Sequence, residues 1–157
     1  MRAKFVNEYV VLPPKSKEDI IGDLSALSKD ELNKQLLKAC EHGLTDIVQW
    51  IINAGADVNV KDNDGWTTLM YASDNGHKDT AKLLLDNGAN VNVTNDYGST
   101  ALMYASYNGY KDTAKLLLDN GANVNIKDED GMTPLILALD YGHKDVVELL
   151  KKYGAKR

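Results

Sequence analysis

The chain has 157 residues, 43% of them hydrophobic, and a formal charge of −5; this is enough for about one domain, and no run approaches the ~20 apolar residues of a membrane span. An acidic balance without a basic stripe argues against a nucleic-acid backbone as partner. The single cysteine, Cys40, excludes an internal disulfide framework and fits a reducing cytoplasm, where the chain is expected to reside.

Residues 1–29 form an N-terminal region of charge +1, which leaves −6 for the remainder. Its opening, Met1 to Phe5, lacks the apolar core of a secretory leader, so none is expected. Phe5, Val6, Tyr9, Val10, Val11 and Leu12 are large or β-branched and end at Pro13-Pro14, which predicts an extended segment over residues 5–12. Ser16 to Leu27 reads as a short helix, with Ile20, Ile21, Leu24 and Leu27 at three- and four-residue spacing. Ser28 and Glu31 then make a capping box that opens the next helix. Residues 5–27 are expected to fold back as a cap over the unit that begins near residue 30. Trp50, which stands where later units have Leu83, Leu116 and Leu149, is a candidate packing partner. The rival reading of this region is a strand that binds a partner or a second copy.

From residue 30 onward the chain repeats. KDTAKLLLDNGANVN occurs from Lys78 to Asn92 and again from Lys111 to Asn125, 33 positions later. A period of that length implies stacked units, each too small to bury its own apolar face. Three glycine series set the phase: Gly43, Gly76, Gly109 and Gly142; Gly55, Gly88, Gly121 and Gly154; and Gly65, Gly98 and Gly131. Each marks a tight turn or a backbone position of positive φ. Two short helices fall between them, Thr67 to Asn75 and Lys78 to Asn87 in the second unit. Leu69 and Ala72 form the buried stripe of the first helix, and Ala81, Leu84 and Leu85 that of the second. Thr67, Thr100 and Thr133 are placed to accept an orphan amide N–H as N-caps. Gly88 and Gly121 are placed to end the second helix. The polar run from Asn90 to Gly98 suits a hairpin loop to the next unit.

The segments GWTTLMYA (from Gly65), GSTALMYA (from Gly98) and GMTPLILA (from Gly131) resemble the ankyrin repeat, whose pattern there is G-x-T-P-L-H-x-A. The pairs Gly76-His77 and Gly142-His143 fit it too, as do the LLxxGAxxN runs ending at Asn92 and Asn125. A degenerate first unit keeps the phase through Leu36, Ala39, Gly43, Ile51, Gly55, Ala56 and Asn59. The proline of the signature survives only at Pro134, and its histidine is replaced by Met70, Met103 and Ile136, which is expected to remove one polar link. The resemblance implies an all-α ankyrin-repeat solenoid of four stacked helix-turn-helix units, about residues 30–64, 65–97, 98–130 and 131–157, with hairpin loops and an N-terminal capping segment.

In that family the hairpin tips and first helices line a concave face that grips other proteins. The two central units differ at nine of 33 positions: Trp66/Ser99, Thr68/Ala101, Asp74/Tyr107, His77/Tyr110, Val93/Ile126, Thr94/Lys127, Asn95/Asp128, Asp96/Glu129 and Tyr97/Asp130. All but Val93/Ile126 fall where the resemblance puts that face or the turn between helices. Drift of exposed sites is the plain explanation. Against it, Lys78, Asp79, Lys82, Asp86 and Asn87 should be exposed on the second helix, yet they recur unchanged. Trp66, Tyr71, Tyr97, Tyr104, Tyr107 and Tyr141 supply aromatic anchors of the kind that dominate interfaces. Asp64, Asp74, Asp96, Glu129, Asp130 and Asp140 would rim them, with Ser99 and Met132 at the position of Trp66. Tyr71 and Tyr104 either join the face or pack between units.

No catalytic constellation emerges. His77 and His143 hold the same place two units apart, so they cannot share a metal or a relay, and the resemblance implies a structural role at the turn. Asp62 to Gly65 and Asp128 to Gly131 resemble calcium loops but lack the full ligand register. Phosphate loops and nucleophile elbows are absent. Cys40 reads as a buried, inert thiol. The expectation is a non-enzymatic module, without cofactor or metal, that binds another protein and is a monomer, with no nucleic-acid or membrane partner. The alternative is a structural building block, natural or engineered, that self-associates through its N-terminal segment.

Overall fold

The computed structural model describes residues 16–156, and the segment expected to be extended, residues 5–12, lies outside them. Among the described residues the chain forms nine helices: α1 (Lys17–Ser25), α2 (Lys29–Glu41), α3 (Thr45–Asn53), α4 (Thr68–Asp74), α5 (Lys78–Asp86), α6 (Ala101–Tyr107), α7 (Lys111–Asp119), α8 (Pro134–Asp140) and α9 (Lys144–Lys152). From α2 onward they form pairs, and the pairs stack. The first helices α2, α4, α6 and α8 pack on one another in sequence, and the second helices α3, α5, α7 and α9 do the same in a second layer.

Burial follows the repeat. Leu36, Leu69, Leu102 and Leu135, one per first helix, are at most 2% exposed; so are Ile51, Leu84, Leu117 and Leu150 on the second helices. Ala39, Ala72, Ala105 and Ala138 are also buried, and their small side chains let neighbouring first helices approach closely. Truncating one of the buried leucines to alanine should cost about 2–5 kcal/mol, because rigid neighbours on both sides cannot collapse into the cavity.

Capping sets the start of each first helix. Thr67, Thr100 and Thr133 accept from the amides of Met70, Met103 and Ile136 at 3.2–3.3 Å. The expected loss of a polar link at the substituted histidine is met in two units by sulfur. The Met70 and Met103 thioethers accept from the amides of Thr67 and Thr100, at 3.5 and 3.4 Å. Pro134 takes the first turn of α8 instead, where its fixed φ suits the helix and its missing N–H costs nothing.

An asparagine ladder joins the loops after the second helices. Asn59 donates to the Gly88 carbonyl and accepts from the Asn90 amide. Asn92 does the same to Gly121 and Asn123, and Asn125 to Gly154 and Lys156. Each side chain thus satisfies backbone groups that the helix end leaves open.

Helix α1 is shorter than the predicted span, and only part of its stripe is buried. Ile20 and Leu24 enter the core and Leu27 packs against it, but Ile21 is 40% exposed. A helix this short cannot aim four apolar side chains at a single surface when two of them are adjacent. Helix α1 lies against α3, with Lys17 Nζ 5.8 Å from the Trp50 ring. The capping boxes at Ser16–Asp19 and Ser28–Glu31 both form.

Candidate functional site

Each hairpin is organised by its first acidic or amide side chain. Asp62 Oδ1 accepts from the amides of Asp64 (3.0 Å) and Trp66 (2.8 Å). Asn95 Oδ1 does so from Tyr97 and Ser99, and Asp128 Oδ1 from Asp130 and Met132. The hairpins then join edge to edge: the Asp96 amide donates to the Asp64 carbonyl and the Glu129 amide to the Tyr97 carbonyl, each at 3.1 Å. The loops Asp62 to Gly65 and Asp128 to Gly131 are therefore turns built by their own carboxylates. Among the described residues no group of three or more His, Cys, Asp or Glu is arranged to hold a metal ion.

The structure sorts the predicted face residues into two groups. Trp66, Tyr71 and Tyr104 are half-buried and packed on the core. The Trp66 ring lies 5.1 Å from that of Tyr71 and 4.2 Å from that of Tyr104 in the next unit. Tyr71 donates its hydroxyl to Asp62 Oδ2 at 2.6 Å, and Asn95 Nδ2 donates to the Tyr104 hydroxyl at 2.7 Å. Burial, then the hydrogen bond to Asp62, raises the Tyr71 phenol well above the ordinary tyrosine value. Burial also raises that of Tyr104. Of the two fates open to these tyrosines, packing between units accounts for much of their surface, although neither is sealed.

The second group is open. Tyr97, Tyr107 and Tyr141 are 57%, 39% and 54% exposed, and the Tyr107 and Tyr141 rings pair across two units at 4.2 Å. Asp64, Asp96, Glu129, Asp130 and Asp140 are exposed, while Ser99 and Met132 are half-buried in their loops. Asp74 is half-buried, and its Oδ1 accepts from Asn108 Nδ2 at 2.8 Å. Lys78, Asp79, Lys82, Asp86 and Asn87 are exposed on the opposite layer, as expected.

Charge is segregated between the layers of the last three units. The hairpin and first-helix segments, residues 61–76, 94–109 and 127–142, hold eight carboxylates against two lysines. The second-helix segments, 77–93, 110–126 and 143–156, hold six carboxylates against eight lysines. In these three units the excess negative charge therefore lies on one side; in the first unit α2 is balanced, with three carboxylates against three lysines, and residues 44–60 hold Asp46 and Asp57 without a lysine. Asp62, Asn95 and Asn108, which hold the acidic side in shape, are not among the site residues expected from the sequence. The common nine-residue separation of Asp62–Tyr71 and Asn95–Tyr104 was the available signal.

The histidines serve the turns. His77 Nε2 lies 2.9 Å from the Glu41 carbonyl and His143 Nε2 lies 2.8 Å from that of Tyr107. Cys40 is buried, and burial pushes its thiol up to about 12, so thiolate chemistry at neutral pH is suppressed.

Short helix pairs stacked in two layers, with hairpins joined edge to edge, define a helical-repeat solenoid. A family model for ankyrin repeats (3 copies) matches residues 36–128 and again residues 95–156. The chain belongs to the ankyrin repeat family. Ankyrin repeats are generally protein–protein interaction modules and typically non-enzymatic. Among the described residues no helix is long and apolar enough to cross a membrane.

Proposed function

We propose that this chain binds a partner protein through the face made by its hairpin tips and first helices, and that it does so as a monomeric, non-catalytic module. The supporting observation is that three exposed tyrosines and an excess of carboxylates share this side in the last three units, whereas helices α5 and α7 are identical in sequence and their layer has no excess of carboxylates. Tyr97, Tyr107 and Tyr141 are the anchors, and Asp64, Asp96, Glu129, Asp130 and Asp140 the rim. Trp66, Tyr71 and Tyr104 form a supporting stack whose exposed edges extend the surface. Neighbouring units hold these side chains in place before contact, so little ordering entropy is lost on binding. The acidic face favours a partner with basic or neutral patches and disfavours nucleic acid. A compartment such as the cytoplasm suits the lone buried thiol.

A pull-down with the whole chain tests this. A Tyr97→Ala/Tyr107→Ala/Tyr141→Ala variant should lose partners that a Lys78→Ala/Lys111→Ala variant keeps, with both variants folded by circular dichroism. Equal retention by the two would defeat the assignment of the face.

A further inference from the structure

The last residues of the four first helices are Glu41, Asp74, Tyr107 and Asp140, at the same place in successive units. Three of the four are carboxylates at the negative pole of a helix, where a cation is favoured and an anion is not. The second helices α5 and α7 also end in aspartates, but there a lysine of the same helix compensates: Lys82–Asp86 at 2.6 Å and Lys115–Asp119 at 2.5 Å. Among the described residues no lysine, arginine or histidine forms an ion pair with Glu41, Asp74 or Asp140. The anion at the helix end is thus ion-paired in one layer and not in the other, although α2 does carry Lys38 in its last turn. Breaches of a local rule collect at functional sites.

The row also carries the exposed tyrosine pair. Tyr107 ends α6 and Tyr141 follows Asp140 as the C-cap of α8. Their rings meet at 4.2 Å, tilted by 59°. A planar cation laid on a tyrosine here has an aromatic face beneath it, with a carboxylate one unit to either side. Guanidinium suits this better than ammonium, because it stacks on rings and gives up its hydration more readily.

We propose that this row docks an arginine-bearing segment of the partner protein, with a guanidinium on the Tyr107–Tyr141 pair and further cations facing Glu41, Asp74 and Asp140. The proposal rests on the first-helix face being the binding surface and adds the chemistry of what it takes. Successive units are about 10 Å apart, as packed helices are. A polyproline-II chain advances about 9 Å in three residues and returns every third side chain to the same side, so arginines at every third position match the row.

The probe is the blocked heptapeptide Arg-Gly-Gly-Arg-Gly-Gly-Arg, titrated at low salt into the whole chain and followed by amide and tyrosine-ring NMR shifts. Shifts should centre on Glu41, Asp74, Tyr107, Asp140 and Tyr141. The dissociation constant should rise about tenfold in Asp74→Asn/Asp140→Asn and by a similar factor in Tyr107→Ala/Tyr141→Ala. The lysine peptide should bind several-fold more weakly than the arginine one. Shifts spread over Asp86 and Asp119, unchanged affinity in both variants, or equal binding of a glutamine peptide would each overturn the proposal. Such a failure, alongside a Tyr97/Tyr107/Tyr141 variant that still loses its partner in the pull-down, sinks the arginine chemistry and spares the face.

Discussion

Asn108 Nδ2 donates to the main-chain carbonyl of Asp74 at 3.1 Å, closing the end of the first helix in the preceding unit. One unit earlier His77 reaches the Glu41 carbonyl, and one unit later His143 reaches that of Tyr107. Where Tyr110 stands in place of histidine, the bond is supplied by a neighbour two residues away. The contact between units is retained although the residue expected to make it is gone.

Asn108→Ala should therefore destabilise the fold by about 1 kcal/mol, the usual net worth of one such bond. Asn75→Ala should cost less, because Asn75 bonds only within its own helix, to the Tyr71 carbonyl. Tyr110→His should recover part of the loss in the Asn108→Ala background. Urea denaturation of the four proteins measures all three effects.

Gly109 and Gly142 share a φ of +76°, but a Cβ on Gly109 would come within 2.4 Å of the His143 ring, whereas one on Gly142 meets nothing within 4 Å. Gly142→Ala should cost about 1 kcal/mol, the left-handed backbone alone. Gly109→Ala should cost clearly more, since His143 must shift and loosen its bond to Tyr107. Comparable melting temperatures for the two variants would contradict this account.

The hydroxyls of Ser73 and Ser106 are buried without a hydrogen-bond partner. An unsatisfied buried hydroxyl costs about 1–3 kcal/mol. Ser73→Ala and Ser106→Ala should each raise the urea midpoint with no change in slope, and together nearly additively, because each sits in a different unit.

Cys40 should resist a thiol reagent at pH 8 in the native protein and react at once in denaturing urea. Its burial and its thiol, pushed up to about 12, both act in that direction. Rapid labelling of the folded chain would show that α2 opens locally.

Tyr71 and Tyr104 are both held neutral in the fold. Their contribution to stability is full below the unfolded tyrosine value of about 10 and falls as pH rises past it, because the unfolded chain then loses protons that the native one keeps. Stability against urea should decline above about pH 10. The decline should be smaller in Tyr71→Phe, which no longer ionises at that position.

The period of 33 residues, the glycine phase and the threonine caps were legible in the chain because each is a local requirement. A turn needs positive φ, a helix start needs an acceptor, and a buried stripe needs three- and four-residue spacing. These determined two helices per unit and the layers they form. What the chain could not reveal is how far a ring is covered, since that depends on the neighbouring unit. Tyr71 and Tyr107 both stand among the aromatic anchors expected from the sequence, with packing between units as the other fate of Tyr71. Yet Tyr71 bonds Asp62 beside Trp66, whereas Tyr107 opens to solvent against Tyr141. Likewise, Lys82 four residues before Asp86 is a pair the sequence itself offers. Only the stacked structure shows Asp74 facing an asparagine of the next unit. Local backbone and capping chemistry made the repeat readable; the contacts between repeats, summed over side chains far apart in sequence, decided which surface was left free.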